Sequence, residues 1–425
     1  MIFRKSIEII LFIALISVAS IGCDSLFGSK TDPTNDEIFE VGKIDPALEN
    51  IDGYAPVLPV WSGFDAPTDI HVGFDTFVYV TDAVGLHLLD RADLRPRVTI
   101  PLEGAVSITQ DRLLNVYVSA RIDTVINQSG VDVTYNLPAV FKIKNMAFVD
   151  TLIFPFDDAS LSTSTAQNAR LSKGSTNNYE KVKITGVSVL ADNNIYVSRT
   201  GPLNSTQQVA APDNTVLEFT RRVVNGEKTD KMVNIRQLVT LNPQNPSLKS
   251  AIGLGAISSF VAPPQRDRLT DDRSFLITQI DQNIDIDFRV LWIKAELTTD
   301  GMAYLQNSSL LAQDTSKADG FIYEPGKFQK PVDIAVSGDD DAFIFVVDEA
   351  QNMLYQFQSN GYEGVNPPAG ADQSGKKVIV SFGGKGVGPK QFDSPSGVAY
   401  FRKVLYVTDK GNNRVLRFRL TSDFE

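Results

Sequence analysis

The side chains whose types could carry chemistry are few: two histidines, His71 and His87, one cysteine, Cys23, and an equivalent pair of aspartates, Asp69 and Asp333. A zinc site draws mainly on His and Cys, and two histidines with one distant cysteine do not supply a tetrahedral set. Calcium takes six to eight oxygens. Asp69 and Asp333 are the only carboxylates at their repeat position, which is Ala105, Gly186, Ala256 or Gly397 elsewhere. Asp82, Asp348 and Asp409 each follow a β-rich run and suit the bonding of turn amides. The acidic run at 339–341 follows a glycine and reads as a solvated turn. No nucleophile elbow, HExxH signature, phosphate-cradling GxxxxGK loop or CxxCH haem motif occurs. A Ser-His-acid triad assembled across separate strands would leave no such motif. No catalytic, cofactor-binding or metal-binding residue is assigned on this basis, and no cofactor is expected.

These residues sit in a repeated framework. The last unit reads QFDSPSGVAY at 391–400, VLYVTD at 404–409 and KGNNRVLRF at 410–418. Units with the same order begin at 64 and 328, and weaker ones near 105, 186 and 256. Short β-rich runs separated by Gly/Asn turns, repeated six times, predict a propeller rather than two unrelated β domains. Aligned first strands give a bulky column of Ile70, Val106, Val187, Ile257, Ile334 and Val398. The alternate column is His71, Ser107, Ser188, Ser258, Ala335 and Ala399. Small side chains at period two are what crowding near an axis requires. His71 breaks that column and is expected beside the channel.

The final unit resembles the NHL-repeat family of β-propellers through FGGKGVGPKQF at 382–392, LYVTD at 405–409 and Asn412-Asn413-Arg414. The resemblance covers residues 57 to the end, strongly at 382–414, well at 328–357 and 64–89, and weakly between. It implies an all-β, six-bladed propeller of four-stranded antiparallel blades over 51–425. It also implies that the Asn-Arg pair closes a turn and buttresses its blade; Asn413 and Arg414 match both positions and Asn352 one. Residues 57–61 echo 378–382 and are expected to supply the outer strand of the last blade.

The first 22 residues differ. Arg4 and Lys5 precede a 13-residue uncharged run at 9–21, too short to span ~30 Å of hydrocarbon and suited to an export signal. Ser20-Ile21-Gly22-Cys23 resembles the bacterial lipobox, which implies lipidation of Cys23 and removal of residues 1–22. Ser20 departs from the Leu that the pattern prefers. Residues 23–50 then read as a tether. The full chain carries −11; removal of two basic residues and one acidic leaves −12. That charge argues against nucleic acid and against electrostatic membrane adhesion. The expected location is the bacterial cell envelope, lipid-anchored, with the outer membrane favoured.

The remaining signal is loop length. The connections at 120–139 and 199–215 are long where 83–85 and 410–413 are short, and 241–255 and 307–329 also lie on that face. They are rich in Asn, Gln, Ser and Thr. The function expected from this is a membrane-anchored binding or scaffold protein presenting one face to a protein, peptide or glycan partner, and not an enzyme. The alternative is a propeller hydrolase, lactonase or lyase with an axial metal site. For the anchor, Cys23→Ser should yield protein without acyl chains, and intact-mass measurement of the mature wild type should show a diacyl or triacyl adduct on Cys23.

Overall fold

The computed structural model describes residues 53–91, 96–128, 130–156, 179–201, 214–238, 253–264, 273–282, 286–367 and 375–424. Cys23, the segment 1–50, the polar stretch 160–178, and most of 199–215 and 241–255 lie outside them. The described residues form six four-stranded antiparallel sheets, the blades of an all-β propeller. Their inner strands are Asp69–Val72, Ser107–Gln110, Lys183–Val189, Leu254–Ser259, Pro331–Val336 and Pro395–Phe401. Each packs on the next, and the sixth packs on the first.

The second strands are the most apolar. Val78–Thr81, Ile344–Asp348 and Phe275–Gln279 are buried at every residue. Both faces of a blade are covered by neighbours, so alternation gives way to continuous apolar runs rich in β-branched and aromatic residues. The outer strands are the exposed edge, and the last blade receives its outer strand from the start of the chain. Tyr54–Ser62 pairs antiparallel with Arg414–Leu420, from Tyr54 opposite Leu420 to Ser62 opposite Arg414, with a register shift between Val57 and Trp61. Trp61 is wholly buried, packs against Tyr406 at 5.8 Å between ring centroids, and lies under the Arg417 guanidinium.

Three expectations from sequence change here. In the second blade Ser107 pairs with Ser119 as Asp69 pairs with Thr81, so the inner strand starts two residues later than the sequence alignment places it. The bulky column therefore contains Ile108, which is buried, and not Val106, which is 43% exposed. The stretch 120–139 is not a loop. Val116–Gln128 and Val131–Lys144 pair without a break to Gln128 opposite Val131, and Ile126, Tyr135 and Leu137 are buried along this hairpin. The connection at 307–329 is packed as well: Leu310, Ala318, Phe321, Ile322, Tyr323 and Phe328 are all buried.

The Asp residues after the second strands accept bonds from turn amides. Asp82 takes the N–H groups of Asp65, Val84 and Gly85. Asp348 takes those of Gln329, Lys330 and Gln351. Asp409 accepts from the Asp393 N–H and from Arg414 Nε at 2.7 Å, and Arg414 donates on to the carbonyls of Val387, Gly388 and Gln391. Asn352 and Asn413 both adopt left-handed φ, +56° and +54°, a region Asn tolerates. Each passes its side-chain oxygen to the next blade, Asn352 to Ser394 N–H and Asn413 to Ala66 N–H.

Removing a buried aromatic costs about 3–5 kcal/mol. Trp61→Ala should therefore lower stability by about that amount in denaturant titration, whereas Leu297→Ala, at a side chain 81% exposed, should leave the midpoint nearly unchanged.

Candidate active site on the propeller axis

The inner strands meet where side chains have little room, and their polar residues are spent on one another. Ile108 N–H donates to Asp69 Oδ2 at 2.8 Å, Val187 N–H to Ser107 Oγ at 3.3 Å, Ser259 N–H to Ser188 Oγ at 2.8 Å, and Val398 N–H to Asp333 Oδ2 at 2.7 Å. In each case one blade supplies an acceptor to the backbone of the next. At the position that Asp69, Ser107 and Asp333 hold, the sixth blade has Gly397. A Cβ there would fall 3.0 Å from Asp69 Oδ1 and 2.8 Å from its Cα. That gap lets the Asp69 carboxylate lie across the sixth blade, where Oδ1 accepts from Ile70 N–H at 2.6 Å.

The consequence is a carboxyl pair. Asp69, from the first blade, and Asp333, from the fifth, face the same cavities and act on each other's ionisation, and both are buried. Burial raises the Asp69 carboxyl from the usual carboxylate range to about 7, against the lowering effect of the Ile108 and Ile70 amides, the Ser107 hydroxyl and Asp333. Burial, and next the charge of Asp69, hold Asp333 well above its ordinary value. Two carboxylates in a low-dielectric site resist ionising together, which favours a proton on the pair.

Two cavities meet at this pair, and Asp69, Ser107 and Asp333 line both. The upper one, on the face where inner strands begin, is about 220 Å³, with Val106, Ala256, Ile280 and Val332 as walls and Glu349 and Lys410 among its lining. The lower one is about 60 Å³ and polar, lined by His71, Thr109, Ser188 and Ser258.

His71 thus lies on the lower channel, and burial lowers its imidazole to about 4, with Asp75 opposing weakly. His87 is elsewhere: Nε2 lies 2.8 Å from Asp82 Oδ2 and Nδ1 3.0 Å from Thr99 Oγ1, a clamp within the first blade. Among the described residues no group of three or more His, Cys, Asp or Glu is placed to hold a metal ion. Both Asp69 oxygens and one of Asp333 already accept backbone N–H groups. That donor set suits a proton shared between carboxyls and does not suit an axial metal. Sequence reasoning reached Asp69 and Asp333 as equivalent positions but missed their meeting, which depends on Gly397 and was signalled only by that glycine in an aligned column.

No family model matches the chain, and no curated protein matches it. Solved structures do. Virginiamycin B lyase from Staphylococcus aureus is similar at 12% identity, over 86% of this chain and 99% of that one, with a TM-score of 0.39. The aldose sugar dehydrogenase of Streptomyces coelicolor is similar at 12% identity over 86% and 97%, TM-score 0.41. A gluconolactonase from Xanthomonas campestris is similar at 7% identity over 89% and 93%, TM-score 0.42. At such identities the likeness is one of fold. The expectation that this chain is not an enzyme is not upheld: the structures it resembles in fold include a lyase, a dehydrogenase and a gluconolactonase, a likeness that by itself assigns no activity to this chain.

A carboxyl whose folded pKa is raised binds its proton more tightly in the folded than in the unfolded chain. Stability is therefore highest below the unfolded value and falls as pH rises toward about 7. His71, lowered to about 4, acts oppositely by costing stability as pH falls below its unfolded value. Asp333→Asn, which mimics the protonated partner, should reduce the loss between the carboxylate range and neutrality by removing the part that Asp333 itself contributes. Melting temperatures from about pH 3.5 to about pH 8, which spans both values, should show the variant equal to or above wild type at the alkaline end.

Proposed function

We propose that this protein is a propeller enzyme of the hydrolase, lactonase or lyase kind, with Asp69 and Asp333 as its acid–base pair. The observation that carries the reading is the pair of buried carboxyls, both held above the ordinary carboxylate range by burial, at the floor of the upper cavity. General acid–base catalysis works best when the pKa lies near the operating pH, and pairs of carboxyls set apart by environment divide the roles of acid and base. For hydrolysis, a water oxygen attacks the carbonyl carbon of a bound ester or lactone while Asp69 takes the water proton. Asp333 gives its proton to the leaving alkoxide oxygen as the C–O bond breaks. The pair then holds one proton again, on Asp69, and transfer between the two carboxyls returns it to Asp333.

A partner-presenting role has less behind it, because 120–139 and 307–329 are a paired hairpin and a packed connection. We also propose membership of the NHL-repeat propellers, supported by the Asp409–Arg414 turn, and export to the bacterial cell envelope with a lipid on Cys23, supported by the leader and the lipobox-like residues. No helix among the described residues is long and apolar enough to cross a membrane.

The test is turnover of a panel of small esters, lactones and elimination substrates by wild type and by Asp69→Asn and Asp333→Asn. Loss of a general acid or base costs about 10²–10⁴-fold in rate. A substrate turned over by wild type should lose at least the lower figure in both variants. Equal rates in all three proteins would refute the assignment.

A further inference from the structure

The lower chamber has no role in binding a substrate from above, yet it is built from polar side chains. His71 projects into it from the first blade, Thr109 from the second, Ser188 from the third and Ser258 from the fourth, with Tyr400 from the sixth. The hydroxyls of Ser188 and Ser258 are engaged locally, Ser188 Oγ by Ser259 N–H and Ser258 Oγ by donation to its own neighbour's carbonyl. His71 Nε2 is buried and has no protein partner. A buried polar atom left without a partner costs about 1–3 kcal/mol, and such atoms facing a polar space are met by water. The chamber, about 60 Å³, is large enough to hold ordered water. Its roof is Asp69, Ser107 and Asp333, the same three residues that floor the cavity above. Val261, Ala262 and Pro263 line it too.

We propose that the lower chamber is a water-binding site that feeds the carboxyl pair from the face opposite the substrate cavity, with His71 holding the first water. This rests on the acid–base reading of the pair and adds the source of its water. Neutral imidazole has one N–H and one acceptor nitrogen, so Nε2 serves a water in either tautomer without bringing a charge to the axis. A substrate filling the upper cavity would shut the pair off from water on its own side. Supply from below leaves the pair hydrated while the reacting carbonyl is enclosed. His71 touches no substrate in this arrangement and is a positioning residue.

The experiment uses the full chain. A high-resolution crystal structure should show water bonded to His71 Nε2 and continuing by hydrogen bonds to Asp69 or Asp333. His71→Phe, which fills the chamber with apolar volume, should raise the pair's titration by roughly one pH unit or more, followed by NMR of isotope-labelled aspartate carboxyls. His71→Gln, which keeps a polar head, should restore most of that shift. Thr109→Val gives a milder variant from the same wall if the histidine changes do not fold. A dry chamber in the wild-type crystal, or a titration unmoved by His71→Phe or by Thr109→Val, overturns the proposal. Bound water and the expected shift without any turnover would leave it standing and remove only the acid–base assignment.

Discussion

Six inner strands converge on one axis, and at that convergence a backbone N–H of one blade takes its acceptor from a side chain of the blade before it. Ile108, Val187, Ser259 and Val398 are all served in this way. The bond does two things at once. It satisfies a buried donor that the sheet's own ladder does not use, which an interior of low dielectric makes obligatory. It also restrains the rotation of those blades against one another, because the acceptor is only two or three bonds from the Cα that carries it. Two of the four acceptors are aspartates, and the site at the axis exists because those two carboxyls are not interchangeable with the serines beside them. A serine donates as well as accepts and carries no charge, whereas a carboxylate there brings a second oxygen and a proton.

Glycine decides where that second oxygen goes. Gly397 withholds the side chain that would stand between the fifth and first blades, and Asp69 and Asp333 come together across the gap. The same aligned position is also glycine in the third blade. There a Cβ on Gly186 would meet Ile257 N and Ser198 Oγ at 2.8 Å, so the close approach is one of backbone and hydroxyl and no carboxyl pair results. One residue type thus serves two ends, set by what the flanking blades contribute.

Much of the architecture was legible because it depends on repetition. The order of small inner strand, apolar second strand, aspartate and turn recurs in the units at 64, 328 and 391, and the roles of Asp82, Asp348 and Asp409 follow from their place in that order. The second blade was misplaced by two residues because Ala105-Val106-Ser107-Ile108 alternates in either register, and only pairing with Ser119 decides between them. Polarity misled at 120–139 and 307–329. Asn, Gln, Ser and Thr mark turns in a sequence, but Ile126, Tyr135, Leu137 and Tyr323 among them carry the burial, and scattered apolar residues do not announce which neighbour they will meet. The site was the least legible part. His71 could be placed near the axis from its column, while the shared proton depends on burial and on a distance between blades that no linear spacing encodes.

The joint that closes the ring sets the order in which the molecule can be made. Gly53 N–H bonds Thr421 Oγ1 across 368 positions, and Tyr54–Ser62 has its strand partner only in the last residues of the chain. Contacts of such sequence separation form slowly, since the loop between them must be closed before the pairing is rewarded. Tyr54–Ser62, the first strand among the described residues, is accordingly the last to find its partner. Until Arg414–Leu420 is made, Tyr54–Ser62 has no strand partner and the last blade lacks its edge. Closure of the ring is thereby tied to Arg414–Leu420, and a product lacking that strand carries an open ring with Tyr54–Ser62 free to pair elsewhere.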